Sequence, residues 1–97
     1  MSIQVFIHTL NKRAETPALL DSEATENFIN HHYAIHLHLS IKQLLTPQKI
    51  FNVDGTTNRK GDIKLYTDLE VHIGAKHTNM RFFLTELSPQ KMILRYP

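Results

Sequence analysis

The segment from Ile63 to Ile73 alternates apolar and polar residues for eleven positions, and no other stretch of the 97-residue chain constrains the fold as tightly. Ile63, Leu65, Thr67, Leu69, Val71 and Ile73 fall on one side of an extended backbone, and Lys64, Tyr66, Asp68, Glu70 and His72 on the other. A period of two belongs to a strand with one buried face, because successive side chains of an extended chain point in opposite directions. Gly74-Ala75-Lys76 then predicts a turn, and Met80-Arg81-Phe82-Phe83-Leu84 a returning strand.

Shorter patterns repeat this theme. Ser2 to His8 predicts a strand with Ile3, Val5 and Ile7 on one face, followed by a polar turn at Asn11-Lys12-Arg13. Pro17 leads into Ala18-Leu19-Leu20, an apolar run that predicts a buried strand ending on the carboxylate of Asp21. Tyr33, Ala34 and Leu37 fall at helical spacing behind Asn30, which suits an N-cap. Ile41 to Leu45 runs to Pro47, and Lys49-Ile50-Phe51-Asn52-Val53 beyond it is a strand candidate. Asp54 to Asp62 is polar with glycines near both ends, which predicts a long hairpin tip. Met92-Ile93-Leu94 is the last apolar run and breaks at Arg95. The sum is an all-β barrel or sandwich with one short helix.

Composition narrows the function. A chain of 97 residues makes one domain, 1–97, burying roughly 60–70% of its unfolded surface. A net charge of +2 without any run of like charges argues against a nucleic-acid arm, although Arg59, Lys60 and Lys64 sit together near the hairpin. The absence of cysteine removes disulfides, thiolate zinc sites and cysteine nucleophiles. No stretch approaches the roughly 20 apolar residues that span a bilayer, and no signal-peptide pattern is present, so the expectation is an intracellular, cytoplasmic domain with no membrane partner.

Two groups of residues could carry chemistry. Asp21, directly after Leu19-Leu20, either starts a turn with Ser22 or sits at the mouth of the core, where low dielectric and nearby charge alter a carboxyl group. Among the histidines, His32 and His36 would share a helix face at the spacing zinc helices use, but the glutamate of a hydrolytic zinc helix is missing, since Tyr33 follows His32. Solvated helix-face histidines are the expectation, with no metal and no cofactor.

Leu19-Leu20-Asp21-Ser22-Glu23-Ala24-Thr25 resembles the apolar-apolar-Asp-Ser/Thr-Gly-Ala motif of retropepsins, the aspartic proteases of retroviruses and LTR retrotransposons. Glu26-Asn27-Phe28-Ile29-Asn30 with Tyr33-Ala34, and Asn52-Val53-Asp54-Gly55-Thr56 with Asn58 and Gly61, resemble gypsy-type retrotransposon proteases of fungal genomes. Arg81-Phe82-Phe83-Leu84-Thr85, and Met92-Ile93-Leu94 before Tyr96-Pro97, are similar as well. The likeness covers nearly the whole chain. It implies a retropepsin-like closed barrel and a homodimeric aspartic endopeptidase of a Gag-Pol polyprotein, acting in the cytoplasm or in retrotransposon particles. Asp21 would be catalytic, one from each of two chains, and Ser22 would brace the pair. Glu23, Ala24 and Thr25 would form the active-site loop. Asp54, Gly55, Thr56, Asn58 and Gly61 would form a flap closing over an extended polypeptide substrate.

The chain departs from that pattern at three points. Glu23 stands where the family has glycine, obstructing the substrate main chain and adding a carboxylate beside the pair. Arg95 stands where the family has a packed glycine, so its side chain must distort the packing, escape to solvent or pair with Glu23. The retropepsin pattern continues past the position of Pro97 with a helix, so the domain reads as truncated at its C-terminus. These departures imply an impaired protease, with an inactive peptide-binding or dimerisation module of the same fold as the competing reading.

Overall fold

The computed structural model describes residues 2–9, 12–22, 24, 26–48, 63–87 and 90–95. Seven strands and one helix follow in order: β1 (Ser2–His8), β2 (Arg13–Asp21), β3 (Asn27–Asn30), α1 (His31–His36), β4 (Lys42–Gln48), β5 (Ile63–Ile73), β6 (Lys76–Thr85) and β7 (Met92–Arg95). The strands lie in the order β1-β2-β7-β3-β6-β5-β4, and β1 also pairs with β5. That extra pairing closes six strands into a barrel and leaves β4 on its flank. Closure removes the exposed edges that an open sheet of this size would present. The fold is the retropepsin-like closed barrel with one short helix.

β5 is the strand that its alternation predicts. Thr67, Leu69 and Val71 are buried, while Lys64, Asp68 and Glu70 are exposed. It meets β6 through Ile73↔Lys76, a two-residue connection with Gly74 at φ 58°. Among the described residues only Gly74 and His38 have positive φ, so the turn has it at the first central position alone, as a type II′ hairpin turn requires. β1 likewise buries Val5 and Ile7.

Two prolines lie inside strands, and β2 starts earlier than expected. β2 begins at Arg13, within the expected turn, and runs through Pro17. β1 lies on one side of it from Ser2↔Leu19 to His8↔Arg13, whereas β7 joins the other side only at Leu19, so at Pro17 no second ladder is interrupted. β4 also contains a proline, Pro47, tolerated because the strand pairs with β5 alone. The strand candidate at 49–53 and the hairpin tip at 54–62 lie outside the described residues.

β3 was not predicted as a strand. Its four residues carry no alternation, because Phe28 and Ile29 are both buried, on opposite faces. The same double burial marks Phe82-Phe83 and Met92-Ile93-Leu94. Two apolar clusters explain it. The larger contains Val5, Ile7, Ile29, Leu69, Val71, Phe82, Met92 and Leu94. The smaller contains Ala24, Phe28, Ile63, Phe83 and Ile93, with Leu19, Leu44 and Tyr66 packed against it. β3, β6 and β7 are therefore sandwiched between two apolar layers.

Candidate functional site

Asp21 is the last residue of β2, where that strand runs parallel to β7 in the register Leu19↔Ile93, Leu20↔Leu94, Asp21↔Arg95. The alternation decides what surrounds it. Leu20 packs against the larger cluster, while Leu19 and Ile93 belong to the smaller one. Asp21 lies two residues beyond Leu19 and so shares its face, placing the half-buried carboxylate at the rim of the smaller cluster. The chain turns immediately: the Ala24 N–H donates to the Asp21 carbonyl at 3.3 Å, and the Ala24 side chain is buried with Phe28 and Phe83. A methyl group in that layer pins the loop after Asp21 to the barrel. Ser22 is exposed in the turn, while Glu23 and Thr25 lie outside the described residues.

The smaller cluster also reaches Ile63 and Leu44, on the two strands that carry the 49–62 connection. Ala24, just after Asp21, and Leu44 and Ile63, on the strands either side of residues 49–62, thus share one apolar layer. Asp54, Gly55, Thr56, Asn58 and Gly61, the expected flap, fall outside the described residues.

Arg95 is exposed, so its side chain is not packed beneath the loop. Its backbone N–H donates to Asn27 Oδ1 at 2.9 Å, and Asn27 Nδ2 donates to the Arg81 carbonyl at 3.3 Å. One side-chain amide therefore joins the end of β7 to β6 from the first residue of β3. Sequence reasoning gave Asn27 no role beyond the family resemblance. Its partners lie 68 and 54 residues away, and no local signal announces contacts at that distance.

Arg81 also grips Asp68 across the β5–β6 ladder through two hydrogen bonds, of 2.9 and 3.3 Å, and its guanidinium lies 4.1 Å from the Tyr66 ring centroid. The hydrogen bond holds the Asp68 carboxyl below its ordinary range and raises Arg81.

The helix histidines do not assemble a centre. His32 and His36 are exposed, and the His31 and His32 rings lie 5.9 Å apart. Among the described residues, the group that could hold a metal ion is a different one, His8, Glu70 and His72. There burial pushes the His8 imidazole below its ordinary value, and the hydrogen bond from His72 lowers Glu70.

A closed six-strand barrel whose β2 ends on an aspartate inside Leu-Leu-Asp-Ser, beside a parallel β7, defines a retropepsin-like aspartic protease domain. The family model described as PEG10/RTL1 protease domain matches residues 17–97, and the chain belongs to that family, which derives from the Gag-Pol of gypsy retrotransposons. Comparison with curated proteins gives no match. No helix among the described residues is long and apolar enough to cross a membrane.

Proposed function

We propose that this chain is one half of a homodimeric aspartic endopeptidase that processes a retrotransposon-type polyprotein, with its activity reduced by Glu23 and Arg95. The observation that carries the reading is the placement of Asp21, at a strand end, on the rim of an apolar layer shared with Leu44 of β4 and Ile63 of β5.

The chemistry follows from pairing. Two Asp21 carboxylates facing one another across a two-fold axis cannot both stay ionised at contact distance, so they share one proton. The ionised member takes a proton from water as it attacks the peptide carbonyl, and the protonated member supplies one to the carbonyl oxygen. Ser22 braces the pair by bonding to the opposite backbone. A peptide lies extended over the apolar layer, its main chain bonded as an added strand beneath the hairpin.

Glu23 weakens this arrangement by bringing two further carboxylates to the axis, which repel unless protonated. Arg95 adds a cation one strand away from each Asp21, in direct register with it. That neighbour favours a second reading: a peptide-binding or dimerisation module that keeps the fold without hydrolysis. Cleavage of a peptide library, blocked by a statine-type mimic of the tetrahedral intermediate and lost in Asp21→Asn, is the result expected of the protease. Binding of the mimic without cleavage, equally in wild type and Glu23→Gly/Arg95→Gly, is the result expected of the module.

A further inference from the structure

We propose that His8, Glu70 and His72 form a binding site for a divalent transition cation of the zinc type, with His77 beside them as a fourth donor. The register of three strands builds the group. His8 on β1 pairs with Glu70 on β5, and His72, two residues further along β5, pairs with His77 on β6. Cross-strand partners and residues two apart project from the same face of a sheet. All four side chains therefore stand together on the outside of the barrel, opposite the face that buries Ile7 and Val71.

The donor atoms are close. One ligand atom each from His8, Glu70 and His72 lies within 4.8 Å of the other two. His72 Nε2 and Glu70 Oε2 are only 2.5 Å apart, so a basic nitrogen and a carboxylate oxygen already converge on one positive centre, a hydrogen. His8 Nε2 is buried and has no hydrogen-bond partner among the described residues. A buried nitrogen without a partner is a cost that a ligand can relieve. A cation that takes the place of the shared hydrogen satisfies all three groups at once.

The identity of the ion follows from the donors. Two or three imidazoles with one carboxylate suit zinc and its transition-metal neighbours, whereas calcium and magnesium take oxygen sets. Two histidines and a glutamate are also a set that zinc accepts with an open position.

Binding must rearrange the side chains. The His8 and His72 rings stack at 3.6 Å with 9° between their planes, and His77 covers the other face of His72 at 3.8 Å and 15°. Lone pairs lie in the ring planes, so nearly parallel rings do not aim at one point. Tetrahedral bonds of about 2.0–2.1 Å place donors about 3.3 Å apart, so the set closes inward by tilting rings out of the stack. Arg13, the partner of His8, and Asp21 lie eight positions apart along β2; at about 3.3 Å per residue this puts the two sites roughly 26 Å apart. The cation is therefore structural, clasping β1 to β5 and β6, and its test does not depend on proteolysis.

The test titrates the full chain with zinc chloride alone and follows the melting temperature and the imidazole nitrogen resonances. A rise in melting temperature is expected, with the His8 and His72 ring signals moving as their stack opens. The zinc affinity should fall at least about tenfold in His72→Gln and in Glu70→Gln, and stay unchanged in His32→Gln/His36→Gln. Unmoved His8 and His72 signals at saturating zinc would overturn the proposal even if a variant fails to fold. So would a response lost only in the helix double variant.

Discussion

At the scale of single residues, Asn27 and Asp68 hold the sheet through side-chain bonds. Asn27 satisfies the Arg95 N–H and caps the Arg81 carbonyl with one amide. Asn27→Ala removes both bonds, each worth about 0.5–1.5 kcal/mol net, and should lower stability by about 1–2 kcal/mol in urea unfolding. Asn27→Asp should lose less, since a carboxylate still accepts from the Arg95 N–H. Asp68 tests the electrostatics. Its carboxyl is held below the ordinary value of 3.8 by Arg81, so the unfolded chain takes up this proton first as pH falls. The stabilisation is complete above the unfolded-state value and is lost as pH drops through the lower, folded-state one. Both side chains are about half exposed, so solvent screening keeps the effect small. Asp68→Asn should make the loss of stability in acid shallower, measured as melting temperature below pH 4 or so.

At the scale of elements, the ends of α1 and β5 show where local chemistry is written in the sequence and where it is not. Asn30 was legible as an N-cap, and its Oδ1 accepts from the Tyr33 N–H at 3.1 Å. The other end was not. Leu39 N–H donates to the Ala34 carbonyl and His38 N–H to that of Ile35, the paired bonds of a Schellman motif, with His38 at φ 56°. Glycine is the usual residue at that left-handed position, so histidine concealed the stop. His38→Gly should relieve a strain of about 1 kcal/mol, offset in part by unfolded-chain entropy, and raise the melting temperature slightly. Gly74→Ala should do the reverse, for although a Cβ there would meet nothing within 4 Å, the φ of 58° disfavours it. β5 was legible because it has one wet face, and β3 was not because Phe28 and Ile29 face two different apolar layers. The strand end at Asp21 was legible from the apolar run before it. The alternation put Glu70 and His72 on the same outward face, but His8 joins them only through the β1–β5 register, and pairings between distant strands leave no periodic trace.

At the scale of the whole molecule, the proposed protease turns on the number of chains. Each chain carries one aspartate in the Leu-Leu-Asp-Ser setting, so a shared-proton pair needs two copies, and activity must follow the dimer concentration. Where monomer predominates, dimer rises as the square of total chain, so halving the concentration should cut the cleavage rate about fourfold. Sedimentation over the same range should show mass moving from one chain of 11.3 kDa toward two. A rate that scales linearly with concentration while the chain sediments as a monomer would exclude the paired-aspartate mechanism. Mixing isolates the pairing from stability. Asp21→Asn chains retain the barrel surface but bring no ionisable group to the axis, so in excess they should draw active chains into inactive heterodimers and suppress cleavage. If Glu23 and Arg95 act at the axis, Glu23→Gly/Arg95→Gly should raise turnover per dimer at least about tenfold, equivalent to 1.4 kcal/mol in the barrier, beyond any gain in dimer population. A gain that vanishes once rates are normalised to dimer would mean the two substitutions act on assembly alone. The carboxylate repulsion assigned to Glu23 would then lie at the interface, away from the reacting peptide.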